Sequence, residues 1–389
     1  MHPSRYESLD VWRGVACLLV VLFHSAVYVA NGEFDTHVRT AGGSVSDWLI
    51  VVVGRFWVGV PLFFVVSGYC IAASADATRA GGRVGRYFVR RLRRIYPPLW
   101  AAVALSTVAA LSLPPAVRPG PTSEGMPVHA TPAEMSAWQW VGSLTLTESW
   151  RPAVVGPERR YAMGHLWTLC YEEQFYVLVG LILLAAPRYF FPCVWAVTAL
   201  VLLNLVDLNA LAGNRLGVDL NAWQVSTPGV FTDGLWVGFA AGVAVYYRLA
   251  HAPPLTGVVI EFVLVALAVA AVRSVPDPGD ARQVLGKFNA VACLFAVVLC
   301  RLRRFDARLA TARWTAPLRF CGRMCYSLYL THPIAAVPAA WALFSAGVTS
   351  PAGTLFITLP VCAALAVALG HVFHRRVERR FLNPPARPA

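Results

Sequence analysis

Arg13 and His24 stand eleven residues apart within one apolar stretch near the start of the chain. On a helix that spacing is about three turns, so the two side chains share a face, about 16 Å apart along the axis. Ionisable groups inside a membrane span cost several kcal/mol and mark a functional site by default. Here the guanidinium would hold an anion at the mouth, and the imidazole would wait deeper in, placed to act as a general base. Each residue has a structural alternative: His24 as a hydrogen bond between helices, Arg13 as an arginine snorkelling to the interface.

Other groups fit the same chemistry. The stretch His165 to Tyr176 places Glu172, Glu173 and a glutamine in an apolar helix. The two carboxylates point about 100° apart, so at most one readily joins His24, where it would orient and tune the imidazole. The alternative is a polar clasp between helices. Ser67-Gly68, in Phe63 to Tyr69, favours close helix packing, with Ser67 a secondary candidate. In Tyr326 to Pro333, Pro333 can kink its helix and free a carbonyl beside His332, a further candidate with His165. The basic run Arg90, Arg91, Arg93 and Arg94 contains two overlapping i, i+3 pairs. On a helix each pair can clamp phosphates of a cytosolic ligand, or else serve as topogenic charge against anionic lipid.

What must position these groups is a membrane. The 389 residues are 57% hydrophobic and 14% charged, against about 25% charged in soluble domains. The spans expected are 11–30, 48–73, 96–113, 164–186, 190–207, 225–247, 255–273, 284–300, 319–345 and 353–374. Each is long enough for about 30 Å of hydrocarbon. The net charge of +13 lies in arginines between the apolar blocks, as the positive-inside rule predicts, and argues against a nucleic-acid partner. The clusters Arg79 to Arg94 (with Arg83), Arg301 to Arg313, and Arg375 to Arg387 then face the cytoplasm, and Arg39, Arg118, Arg151, Arg159 and Arg160 lie outside. The expectation is an all-α polytopic bundle of about ten transmembrane helices in the plasma (inner) membrane, with both termini cytoplasmic. It forms one membrane domain over 1–389, without a separate soluble domain or a fused esterase-like one. The loop 114–163, with Trp138, Trp140 and Trp150, would form a partly ordered extracytoplasmic cap. The N-terminal run does not read as a cleavable signal peptide. The nine cysteines read as packing residues, with no metal site or disulfide expected.

Together the motifs resemble the acyltransferase family 3 membrane proteins, which O-acylate sugars and other hydroxyl-bearing molecules. The resemblance is carried in family order by Leu9 to Gly14 with its continuation to His24, Phe63 to Tyr69, Arg90 to Pro97, Trp167 to Tyr176, and Tyr326 to Pro333. It implies a ten-helix bundle that takes an acyl group, usually acetyl, from cytosolic acyl-CoA as co-substrate. The acceptor would be a hydroxyl on a surface glycan, such as O-antigen or exopolysaccharide, or on a secondary metabolite such as a macrolide. It also implies His24 as the essential base, Arg13 as its partner, and Arg90 with Arg93 as contacts to CoA phosphates. The departures are Trp12 for leucine, Pro61 for aspartate, Tyr69 for phenylalanine and Thr168 for serine. Pro61 cannot act as an acid, and none of the departures touches His24. The rival reading is a proton-coupled transporter using the same buried His and Glu groups as a relay, which the lack of internal repeats disfavours.

Overall fold

In a computed structural model, residues 6–30, 43–81, 84–114, 130–205, 229–273 and 281–382 are described, the side chains of 27–30 and 281–285 excepted. Arg39, Arg83, Arg118 and Arg387 of the charge argument lie outside that set. The protein is an all-α multi-pass membrane protein, with no strand among the described residues. Eight helical stretches of the described residues are long and apolar enough to cross a bilayer: Leu9–Ala26, Val45–Gly81, Val84–Ser112, Gly164–Ala185, Pro187–Leu205, Pro254–Arg273, Cys325–Ser345 and Pro351–Arg380.

The helices are α1 (Leu9–Ala30), α2 (Val45–Val53), α3 (Gly59–Gly81), α4 (Val84–Ser112), α5 (Ala137–Thr145), α6 (Trp167–Ala185) and α7 (Phe190–Leu205). They continue as α8 (Trp236–Ala250), α9 (Pro254–Arg273), α10 (Ala281–Leu302), α11 (Asp306–Thr311), α12 (Ala316–Arg323), α13 (Cys325–Ser345) and α14 (Leu359–Arg376). The expected spans 225–247 and 284–300 fall on α8 and α10. Residues 206–228, where the first of these begins, lie outside the described set.

Three expected boundaries need correction. Span 48–73 is two helices, because α2 stops at Gly54 and α3 restarts at Gly59 after a 3₁₀ turn over Phe56–Val58. Span 319–345 is also two, with α12 ending before Met324 and α13 starting at Cys325. Span 96–113 is only the apolar half of α4, whose first turns are the basic run. Hydropathy sees an apolar block but neither a cap within it nor the amphipathic helix leading into it.

The contacts divide into two compact units. One comprises Pro61–Phe88 and Leu169–Arg304. Its core stacks Phe239 on Phe64 and Phe175, with ring centroids 4.4 and 4.6 Å apart. α3 and α8 cross closely because Gly68 sits against the Phe239 carbonyl and Gly242 against that of Val65, the packing role expected of Gly68.

The other unit comprises Tyr6–Val60, Val89–Thr168 and Phe305–Ala389. Here α1 packs on α12, α13 and α14, and α13 packs on α14. The Asp306 carboxylate accepts the amides of Glu7 and Ser8 at 2.7 and 2.8 Å, satisfying donors ahead of α1. Gly322 and Gly14 bring α12 onto α1: a Cβ on either would collide with a backbone carbonyl, of Asp10 or Leu318. Backbone cannot swing aside as a side chain can. Gly322→Ala should therefore cost about 1–3 kcal/mol, read as a lower thermal midpoint in detergent. An unchanged midpoint would show that the crossing yields.

Candidate active site

The unit built on α1 brings three of the expected histidines together. Residues 9–30 form one continuous helix, so Arg13 and His24 keep the three-turn spacing on one face. Arg13 pairs with Asp10 at 3.0 Å. Facing His24 is His332 of α13, whose Nε2 lies 3.1 Å from His24 Nδ1, with ring centroids 5.0 Å apart. His332 is fully buried. Its Nδ1 lies 2.8 Å from the Tyr329 carbonyl and 3.2 Å from that of Leu328. Pro333 lies within the helix and has no N–H to offer Tyr329, so the carbonyl freed by the proline is the one His332 uses.

His165 sits in the 3₁₀ turn Gly164–Leu166 ahead of α6. Its ring packs edge-on to Tyr329 at 4.9 Å and against His332 at 5.1 Å. The Tyr329 hydroxyl donates to the His165 carbonyl at 2.6 Å and lies 2.9 Å from the Thr168 hydroxyl. The three imidazoles thus form a row, His24–His332–His165, in which the hydrogen-bonded pair is His24 with His332 and His165 packs ring against ring.

In the same unit, the helical backbone of α4 puts each i, i+3 arginine pair on one side. Arg90 and Arg93 are exposed, whereas Arg91 and Arg94 are partly buried. Arg93 donates to the Arg380 carbonyl at 3.4 Å. Arg13 and Arg94 both act electrostatically on Cys325, the first residue of α13, together with the carboxylates of Glu378 and Asp10, so charges of both signs surround that helix end.

A cluster that the sequence reading missed lies nearby on α13. The Ser327 hydroxyl donates to Glu378 Oε2 at 2.5 Å, and His374 Nδ1 lies 2.8 Å from the same oxygen. Ser327 and Glu378 are buried. The available signal was the i, i+4 spacing of His374 and Glu378, hidden in what reads as a basic tail.

Ser67 and Glu172 belong to the other unit. The Glu172 carboxylate accepts from the hydroxyls of both Ser67 and Tyr176, and those hydroxyls lie 3.2 Å apart. Glu173 is partly buried on the same helix. Next to them, the Gln174 side chain holds the Gly229 carbonyl and the Phe231 amide at 2.9 and 3.0 Å, and the Tyr171 hydroxyl donates to Asp233. Glu172 is therefore part of a polar tie between α3 and α6, while the group beside His24 Nδ1 is His332.

A family model described as an acyltransferase domain matches residues 6–372. A curated protein of Komagataeibacter xylinus, named "Putative membrane-bound transacylase BcsY", is 26% identical over 352 residues, covering 88% of this chain and 75% of that protein. No solved structure matches. With nearly its whole length matched, the chain belongs to the acyltransferase family 3 proteins and is a membrane acyltransferase.

Proposed function

We propose that the protein takes an acyl group, acetyl in the simplest case, from cytosolic acyl-CoA and passes it to a hydroxyl of a glycan or glycosylated small molecule. His24 is the base or the acyl carrier. The observation supporting this most is the hydrogen-bonded pair of His24 and buried His332 in a chain of this family. Membership of an acyltransferase family also displaces the transporter reading. The matched relative's description as a transacylase fits the same chemistry.

On this reading the chain lies in the plasma membrane with both termini cytoplasmic. Arg90, Arg91, Arg93, Arg94 and Arg13 offer guanidiniums to the CoA phosphates, for which planar forked donors are well matched. His24 takes the proton of the acceptor hydroxyl as its oxygen attacks the thioester carbonyl. The C–S bond then breaks, and the thiolate leaves with that proton.

The test supplies labelled acetyl-CoA to membranes containing the protein and identifies the labelled product by mass spectrometry. Label should appear as an ester on a hydroxyl compound. Arg90→Ala with Arg93→Ala should raise KM for acetyl-CoA about tenfold, near 1.4 kcal/mol, with kcat little changed. Absence of any labelled ester across candidate acceptors would refute the reading.

A further inference from the structure

Pro333 sits beside the imidazole row and has no part in the chemistry described so far. In an uninterrupted helix the N–H of residue 333 would bond the carbonyl of residue 329, and proline has no N–H. The carbonyl so released is the one lying 2.8 Å from His332 Nδ1. A carbonyl oxygen only accepts, so His332 Nδ1 carries the hydrogen. In the neutral ring the lone pair is then on Nε2, and the atom 3.1 Å from it is His24 Nδ1. His24 Nδ1 must therefore donate, and the Val20 carbonyl one turn back along α1 also accepts from the His24 ring. One ring nitrogen of a neutral imidazole is protonated and the other is not, so the lone pair of His24 is on Nε2.

We propose that Pro333 is a positioning residue: by withholding an N–H it dedicates the Tyr329 carbonyl to His332, and through His332 it fixes His24 as the Nδ1–H tautomer, with Nε2 as the reactive nitrogen. The importance of this for catalysis rests on the reading of His24 as base or acyl carrier, and either role uses the same atom. As a base, Nε2 receives the hydroxyl proton and returns it to the departing thiolate. As a carrier, Nε2 forms the bond to the acyl carbon as the C–S bond breaks, and its Nδ1 proton moves to His332 Nε2. Attack by the acceptor hydroxyl then breaks the C–N bond, the Nδ1 proton returns, and the hydroxyl proton leaves on the thiolate.

The tautomer can be read in the resting full-length protein, labelled with ¹⁵N-histidine in a bilayer, the His24 signals being those lost in His24→Ala. The expected result is a protonated Nδ1 and an unprotonated Nε2. In Pro333→Ala the new N–H competes for the Tyr329 carbonyl. His24 should become a mixture of tautomers, and kcat should fall about tenfold with KM for acetyl-CoA unchanged. A native His24 protonated at Nε2, or an unchanged His24 signal in folded Pro333→Ala protein, would overturn the proposal. Should that variant not fold, the same comparison in His332→Gln decides. The spectra need no substrate, so their outcome is separate from whether His24 carries out transfer.

Discussion

Glu148→Ala should locally unfold residues 130–166, which lead into α6. Glu148 is fully buried and Arg151 nearly so. Their contact is bidentate, Arg151 Nε and Nη2 donating to the two carboxylate oxygens at 2.7 and 2.8 Å. The same carboxylate accepts the Arg160 amide at 2.8 Å, and Arg151 also holds the Pro157 carbonyl at 2.9 Å. One carboxylate therefore ties the end of α5 to the chain leading into α6. Removing one partner of a buried pair leaves an uncompensated charge and costs about 3–5 kcal/mol. Hydrogen exchange should report this as a rise in local opening on the order of a hundred- to a few-thousand-fold at amides such as Thr147 and Ala162, both hydrogen-bonded within the segment. Glu148→Gln keeps the shape and one acceptor, so its effect should be smaller. The hydrogen bonds it donates to Glu148 hold the Arg151 guanidinium above its ordinary value, against the opposing effect of burial. For a raised cationic group the stabilisation is present below the unfolded arginine value and is lost only as pH climbs through the folded one. Neutral and mildly alkaline pH should therefore leave the contribution of Arg151 intact. Unchanged exchange in Glu148→Ala would mean that the segment is held by other contacts.

Much of the site was legible because it depends on local spacing. The helical period alone puts Arg13 and His24 on one face, and α1 keeps it. Pro333 announced a spare carbonyl next to His332, and the structure uses that carbonyl. The basic run was read as helical pairs, and α4 begins ahead of it. What escaped depends on partners far away in the chain. Asp306 lies about 300 positions from the amides it caps, and Ser327 meets Glu378 across 51. His332 as the neighbour of His24 could not be chosen over a glutamate, since any polar group on a facing helix satisfies the same expectation. The split of 48–73 into α2 and α3 was missed because Gly54 and Arg55 are too brief a break in an otherwise apolar run to interrupt the averaged hydropathy.

His24→Ala should abolish most of the transfer. A positioned general base contributes about 10²–10⁴ in rate, and alanine also removes any acyl carrier. His332 would keep its carbonyl partners, and α1 would keep its caps and glycine crossings, so insertion and expression should match the native chain. His332→Ala should lose less, because it removes the orienting partner and leaves the reacting ring. The most direct measurement is the initial rate at which label from acetyl-CoA enters an ester product, in membranes holding equal amounts of native and His24→Ala protein. The account predicts a fall of at least about a hundredfold with the variant inserted and folded; transfer at the native rate would contradict it.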